Sequence, residues 1–164
     1  MRPLFALVLL CAAVGSAQQP APVKADKILV LKSERKLQLL KGGKVVREYR
    51  VALGLQPVGK KTQQGDYKTP EGNYVVSGRN PRSQYHRSLR ISYPNATDRA
   101  AAAKLGVDPG GDVMIHGLPN GYQPKLRRGA IMTDWTWGCI AVTDEELDEI
   151  WELVPNGTPI EIKP

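Results

Sequence analysis

Cys139 and His116 are the two residues of this chain best suited to covalent catalysis. Each lies beside glycine, Cys139 within TWGCI (136–140) and His116 within IHG (115–117). An imidazole can take the proton of a thiol and later return it to a leaving amine. A thiol and an imidazole are therefore the minimum equipment for acyl transfer through a thioester, and this pair is the leading candidate for a catalytic site.

Two glycines beside this pair are candidates to assist the reaction. Gly138 lacks a side chain, so a substrate carbonyl can approach the backbone, where its N–H and that of the cysteine would stabilise an oxyanion. The Gly117 carbonyl would orient the imidazole by accepting a hydrogen bond from its second nitrogen. Asp112 and Asp134 are near in sequence, but the sequence identifies neither as a third member of the pair.

The first residues of the chain have the pattern of a secretory signal peptide. A basic residue precedes an apolar run over 4–14, and small residues follow at 15–17. The run is too short to span a bilayer as a helix, and a retained anchor or lipidation at Cys11 are the alternatives. Cleavage after Ala17 would leave one cysteine, which cannot form an internal disulfide. The predicted organisation is a signal peptide at 1–17, a short tether at 18–26 and one domain at 27–163.

The formal net charge of +7 is compatible with several anionic partners. The basic residues are dispersed and are not interleaved with aromatic residues, so we predict no nucleic-acid partner. In an exported protein, this basic charge favours a location near an anionic envelope polymer or a membrane surface. The two histidines and the cysteine lack the spacing of zinc ligands, so we predict neither a metal site nor a cofactor.

The elements that must position the pair are mostly strands. Strand patterns cover 27–31, 36–40, 45–53, 72–76, 89–93, 113–115 and 158–162. Asn95 is a helix N-cap, and Gly106 is a helix end. Thr143 and Glu146 form a capping box that begins a second helix with one apolar face. Cys139 would then lie on a turn between a core element and this helix, in a mostly β (α+β) domain.

Several segments, in order, resemble the YkuD-type L,D-transpeptidase catalytic domain of the ErfK/YbiS/YcfS/YnhG family. They are KTPEGNY (68–74), SYPN (92–95), PGGDVMIHG (109–117) and the Gly-Cys turn, and the resemblance runs from about 27 to 163. It implies a β-sandwich or barrel-like domain with a few short helices. It also implies a cell-wall enzyme that acts on peptidoglycan stem peptides, with Cys139 as nucleophile and His116 as proton acceptor.

The chain departs from the family pattern at the nucleophile. The usual signature is Ser/Thr-His-Gly-Cys-x-Arg/Asn, whereas Trp137 replaces the histidine here and Ala141 replaces the polar residue. The Cys–His separation is also longer, with a basic stretch at 124–128, and we predict that the insertion over 120–134 is a lid. These differences leave open whether an amine or water accepts the acyl group.

Four further residues are candidates for substrate binding. Trp135, Thr136 and Trp137 precede the nucleophile, where the two indoles are either core or hydrophobic walls of a cleft. His86 is either a substrate contact or a structural histidine.

The resemblance implies an L,D-transpeptidase in the periplasm or cell envelope, without a stable membrane span after signal removal. Its acyl acceptor would be a second stem or an envelope protein. The alternatives are an L,D-carboxypeptidase or endopeptidase that hydrolyses the same acyl-enzyme, and a non-catalytic wall-binding module.

Overall fold

The computed structural model describes residues 23–121 and 127–164, without the side chains of Arg127 and Arg128. The predicted signal peptide, most of the predicted tether and positions 122–126 of the predicted lid lie outside the described residues. Among the described residues, no helix is long and apolar enough to cross a membrane.

Eight strands and three helices follow one another along the described chain. The strands are β1 (Lys27–Leu31), β2 (Lys36–Lys41), β3 (Lys44–Arg50), β4 (Gly72–Asn80), β5 (Ser88–Ile91), β6 (Met114–His116), β7 (Ile140–Ala141) and β8 (Pro159–Lys163). The helices are α1 (Ala96–Leu105), α2 (Arg127–Ala130) and α3 (Asp144–Leu153). This content confirms the prediction of a mostly β domain with a few short helices.

The strands form one sheet in the order β3-β2-β1-β8-β4-β5-β6-β7. The last strand, β8, lies parallel to β1 and antiparallel to β4, so it joins the N-terminal meander to the second half of the sheet. Beyond β3, Ala52 exchanges backbone hydrogen bonds with Ala141 of β7, at the opposite edge of the sheet. The sheet therefore curls back toward itself, as expected for a barrel-like domain.

Alternating burial explains the N-terminal strands. Ile28 and Val30 of β1 face the core with Leu37 and Leu39 of β2, and all four are fully buried. Because successive side chains of a strand point to opposite faces, this alternation places one face of the meander on the core.

Two strands differ most in length from the prediction, and each of these differences has a cause in the pairing. The predicted strand 45–53 ends at Arg50, because the chain beyond it leaves β2 and bonds to β7 and to the segment before Cys139. The predicted strand 72–76 continues to Asn80, because β4 pairs with β8 along its first half and with β5 along its second. Neither change of strand partner can be predicted from the local sequence, because each depends on a distant segment.

Both predicted helices are confirmed with their caps. Asn95 caps α1, and Gly106 ends it in the left-handed conformation with a φ of 68°. Thr143 and Glu146 form the capping box of α3, and the apolar face of α3 packs into the core. Only two residues separate the end of β7 from the start of α3. The capping box that fixes the start of α3 therefore also fixes the end of the segment that contains Cys139.

Candidate active site

Cys139 and His116 line the same cavity, which has a volume of about 490 Å³. His116 is the last residue of β6, and Cys139 directly precedes β7. These two short strands are parallel neighbours, with Ile115 opposite Ile140 and His116 opposite Ala141. Strand pairing therefore brings together two residues that are far apart in the sequence.

The turn before Cys139 is closed by the side chain of Thr136. Its buried hydroxyl donates a hydrogen bond to the Cys139 carbonyl at 2.7 Å and accepts one from the Gly138 N–H at 3.1 Å. The Gly138 N–H, which the sequence proposed as an oxyanion donor, is thus engaged inside the turn. The Cys139 N–H is therefore the remaining candidate oxyanion donor of this turn.

Glycine at position 138 is required by two features of the backbone. Its φ of +127° lies in a region that residues with a side chain rarely adopt. A Cβ atom on Gly138 would also lie 2.7 Å from the carbonyl oxygen of Lys68. The nucleophile turn therefore packs directly on the backbone of the segment 54–71.

His116 is held by the hydrogen bond that the sequence proposed. Its ring nitrogen Nδ1 lies 2.7 Å from the Gly117 carbonyl oxygen. A carbonyl only accepts, so Nδ1 carries a proton and Nε2 has the free lone pair of a base. Burial lowers the pKa of His116, against the smaller raising effect of this hydrogen bond, so the imidazole is neutral at rest.

The imidazole is also enclosed by aromatic rings. Its centroid lies 4.6 Å from that of Tyr85 and 5.7 Å from that of Trp135. The same two aromatic residues line the cavity together with Trp137. The wall beside the base is therefore predominantly apolar.

Cys139 is a half-buried thiol, and its resting form is protonated. Burial raises the pKa of Cys139, although a hydrogen bond from the Met114 backbone and the charge of Lys61 act in the opposite direction. Its Sγ atom donates to the Asp112 carbonyl at 3.6 Å. No hydrogen bond joins the thiol to the imidazole among the described contacts, so the S–H must turn toward His116 before it can transfer its proton.

The two aspartates near the pair in sequence have other partners. The Asp134 carboxylate accepts from the Leu53 N–H at 2.9 Å and pairs with Arg35 at 2.7 Å. The exposed Asp112 carboxylate pairs with Arg90 at 3.1 Å. The Gly117 carbonyl therefore has the orienting position that a carboxylate has in a Ser-His-Asp triad.

The predicted substrate-binding residues differ in their surroundings. Trp135, Thr136 and Trp137 all line the cavity, and Trp137 is 78% exposed with its ring edge-to-face against Tyr67. His86 is not among the lining residues. Its Nε2 atom lies 2.7 Å from Asp148 of α3, so the structure places this ring in a surface hydrogen bond.

The described part of the predicted lid lies beside the site. Ile131 is buried, and Asp134 is held by the bonds given above. Gly129, Ala130 and Thr133 line a small cavity with Trp135, which also lines the larger one. The lid itself stays a prediction, because positions 122–126 lie outside the described residues.

A second cavity, of about 640 Å³, adjoins the first and shares Trp137, Cys139 and Asp112 with it. Lys61 and Tyr67 also line it, although the sequence gave no signal for either residue. Both belong to a segment rich in glycine and charge that has no helix or strand pattern. Within the described chain, no group of three or more metal-ligating side chains is present.

Residues 25–162 match the family model described as the YkuD, L,D-transpeptidase catalytic domain. The chain belongs to the L,D-transpeptidase family. The match spans both candidate catalytic residues and the two cavities that meet at Cys139.

Similar proteins include YafK of Escherichia coli strain K12, a provisionally named L,D-transpeptidase. YafK is 29% identical over 160 residues, covering 88% of this chain and 57% of YafK. Pgp2, the helical cell shape determining protein of Campylobacter jejuni, has a structure with a TM-score of 0.63 and 24% identity, covering 86% of this chain and 48% of that one. Bd1075 of Bdellovibrio bacteriovorus has a TM-score of 0.57 and 26% identity, with 86% and 48% covered. This L,D-transpeptidase chain thus spans about half the length of the relatives it matches.

Proposed function

We propose that this chain is a cysteine acyltransferase that acts on peptidoglycan stem peptides in the bacterial periplasm or cell envelope. The main support is that Cys139 and His116 line one cavity, with His116 Nδ1 fixed by Gly117. In this tautomer Nε2 has a lone pair available to accept a proton, and Cys139 is the only cysteine of the described residues. Membership of the L,D-transpeptidase family supports the class of reaction and of substrate.

Acylation begins with the proton of the Cys139 thiol, which passes to Nε2 of His116. The sulfur attacks the carbonyl between the L-centre and the terminal D-residue of the stem, and the Cys139 N–H donates to the oxyanion. The C–N bond then breaks, and the leaving amine of the D-residue takes the proton from His116. The product is a thioester on Cys139.

Burial shifts the pKa values of Cys139 and His116 in opposite directions, upward for the thiol and downward for the imidazole. It disfavours both the thiolate and the imidazolium, so the resting pair is neutral and proton transfer accompanies attack. Substrate binding would then turn the thiol from the Asp112 carbonyl toward His116.

Deacylation uses the same base in the opposite direction. An amine of a second stem or of an envelope protein attacks the thioester, gives its proton to His116 and forms the new amide, and the thiol recovers its proton. Water in the place of the amine gives an L,D-carboxypeptidase or endopeptidase. The exposed Trp137 indole, where the family signature has histidine, lines both cavities that meet at Cys139, and we expect it to contact the incoming acceptor.

Purified protein incubated with a tetrapeptide-bearing muropeptide tests this function. Crosslinked dimers support transfer, and tripeptide monomers alone support hydrolysis of the same acyl-enzyme. The Cys139→Ala variant is the control and should form neither product. If wild-type protein leaves the tetrapeptide intact but sediments with peptidoglycan, the catalytic proposal is refuted in favour of a wall-binding module.

A further inference from the structure

Two lysines are buried among the described residues, and their ammonium groups are satisfied to different extents. Lys32 is 2% exposed and donates to the Gly59 carbonyl, the Thr69 carbonyl and the Glu71 carboxylate at 2.8 to 2.9 Å. An ammonium has three N–H donors, so Lys32 uses all of them. This lysine holds the segment 54–71 to the sheet and has no donor left for a ligand.

Lys61 is 5% exposed, but its contacts account for only two donors. It donates to the Gln63 carbonyl at 3.0 Å and to the Asp66 carboxylate at 2.7 Å. No third acceptor for this ammonium lies among the residues that the structure describes. A buried charged donor without a partner is costly, so a partner supplied by a ligand would be favourable.

The geometry around Asp66 holds the Lys61 ammonium in one place. Asp66 accepts hydrogen bonds from the backbone N–H groups of Thr62, Gln63 and Lys68 as well as from Lys61. Burial raises the pKa of Asp66, but these four hydrogen bonds together lower it, so the carboxylate is ionised. The Lys61 ammonium is therefore held by a carboxylate that is itself bonded to the loop backbone.

Lys61 lines the second cavity, which also reaches Cys139. His116 lines only the first of the two cavities. In the proposed acylation the leaving amine lies near His116, which lines the first cavity. The second cavity, which also reaches Cys139, is then available for other groups of the donor that flank the scissile carbonyl. Lys61, with one donor unfilled, thus lines space that extends to Cys139, over which the reacting carbonyl must lie.

We propose that Lys61 binds a carboxylate of the acyl-donor stem peptide in the second cavity and so sets the position of the scissile carbonyl over Cys139. This inference rests on the proposed function for the identity of the donor, but not for the existence of the anion site. Two carboxylates of the donor have this chemistry. One is the α-carboxylate of the terminal D-residue, and the other is the side-chain carboxylate of the diamino acid whose L-centre provides the scissile carbonyl.

Alkylation of Cys139 tests the anion site without any peptidoglycan substrate. In alkylation by iodoacetate or iodoacetamide the cysteine sulfur loses its proton, bonds to the reagent's CH₂ carbon and displaces iodide, but only iodoacetate has a carboxylate. The measured quantity is the rate constant for iodoacetate divided by that for iodoacetamide, at low ionic strength. This ratio should fall about 3- to 10-fold in Lys61→Gln and stay near the wild-type value in Lys61→Arg. Lys68→Met is the matched control, since it removes the same charge from the same loop outside the cavity lining.

A ratio that changes less than twofold in Lys61→Gln overturns the proposal. So does an equal fall in Lys68→Met, because the effect would then come from the overall charge. If the Gln variant does not fold, the wild-type protein still decides the question through its choice between donors.

Stem tetrapeptides amidated at one carboxylate or the other identify the source. The wild type should lose about 10- to 100-fold in kcat/KM with the donor whose Lys61-bound carboxylate is amidated, the range expected for a hydrogen bond to a charged group. The loss should be mainly in KM. Equal turnover of both amides and the free donor overturns the proposal. If no donor is turned over, the proposed function fails, and the alkylation ratio still tests the anion site.

Discussion

Replacing Gly138 with alanine should misplace the nucleophile while the rest of the domain stays folded. Alanine at a φ of +127° costs about 1 to 3 kcal/mol in backbone strain. The new Cβ atom would lie 2.7 Å from the Lys68 carbonyl oxygen, whereas ordinary contact begins at 3.4 Å, so the turn must move by about 0.7 Å. Overpacking of this kind costs roughly a further 1 to 3 kcal/mol.

The expected result for Gly138→Ala is a loss of stability together with a larger loss of activity. A total of roughly 2 to 6 kcal/mol lowers the melting temperature by at least about 5 °C in a domain of this size. A displacement approaching 1 Å at a reacting atom reduces kcat/KM by about 100-fold. Thermal unfolding and turnover of the tetrapeptide donor measure the two effects.

Gly157→Ala is the matched control for the backbone term. Gly157 also has a positive φ, +84°, but a Cβ atom there meets no heavy atom of the described chain within 4 Å. This variant should lose about 1 to 2 kcal/mol of stability and keep its activity. The reasoning is refuted if Gly138→Ala is as stable and as active as Gly157→Ala, because the contact with Lys68 would then have no consequence.

Two further predictions concern the nucleophile turn and its ionisation. Thr136→Val leaves the buried Gly138 N–H and the Cys139 carbonyl without their partner, so urea unfolding should show a loss of about 2 to 3 kcal/mol. Thr136→Ser should lose less than half as much, and a fully stable valine variant would contradict the role of the hydroxyl. Because burial raises the pKa of Cys139 and lowers that of His116, alkylation of Cys139 by iodoacetamide should accelerate with pH and reach its inflection above the ordinary value of about 8.5. A rate already constant below pH 7 would instead indicate a thiolate–imidazolium pair.

The sequence predicts those parts of the domain that depend on local signals. The capping box of Thr143 and Glu146 and the alternation in β1 and β2 depend on neighbouring residues, and the structure has the expected helix and strands. The hydrogen bond between His116 and the Gly117 carbonyl joins adjacent residues, and it too is present as proposed from the sequence.

The parts that could not be predicted depend on contacts between distant segments. Lys61 reaches the second cavity because Lys32, far away in the sequence, fixes the segment 54–71 through Gly59 and Thr69. The early end of β3 depends on a change of strand partner that alternation does not encode. The Thr136 hydroxyl accepts a hydrogen bond from the Gly138 N–H because of the way the turn folds, and the sequence has no signal for this contact. From the sequence alone, that N–H is therefore assigned to the oxyanion.

The most direct test of a Cys139 nucleophile with a His116 base is the mass of the intact protein after incubation with a carbapenem. The thiol opens the lactam, so the account predicts one stable adduct at Cys139. The adduct should persist in Cys11→Ala, which removes the other cysteine of the chain, and disappear in Cys139→Ala. In His116→Ala its formation should slow by about 100-fold or more, as expected for loss of a general base. Failure of the wild type to form an adduct, or equally fast labelling in His116→Ala, would contradict the account.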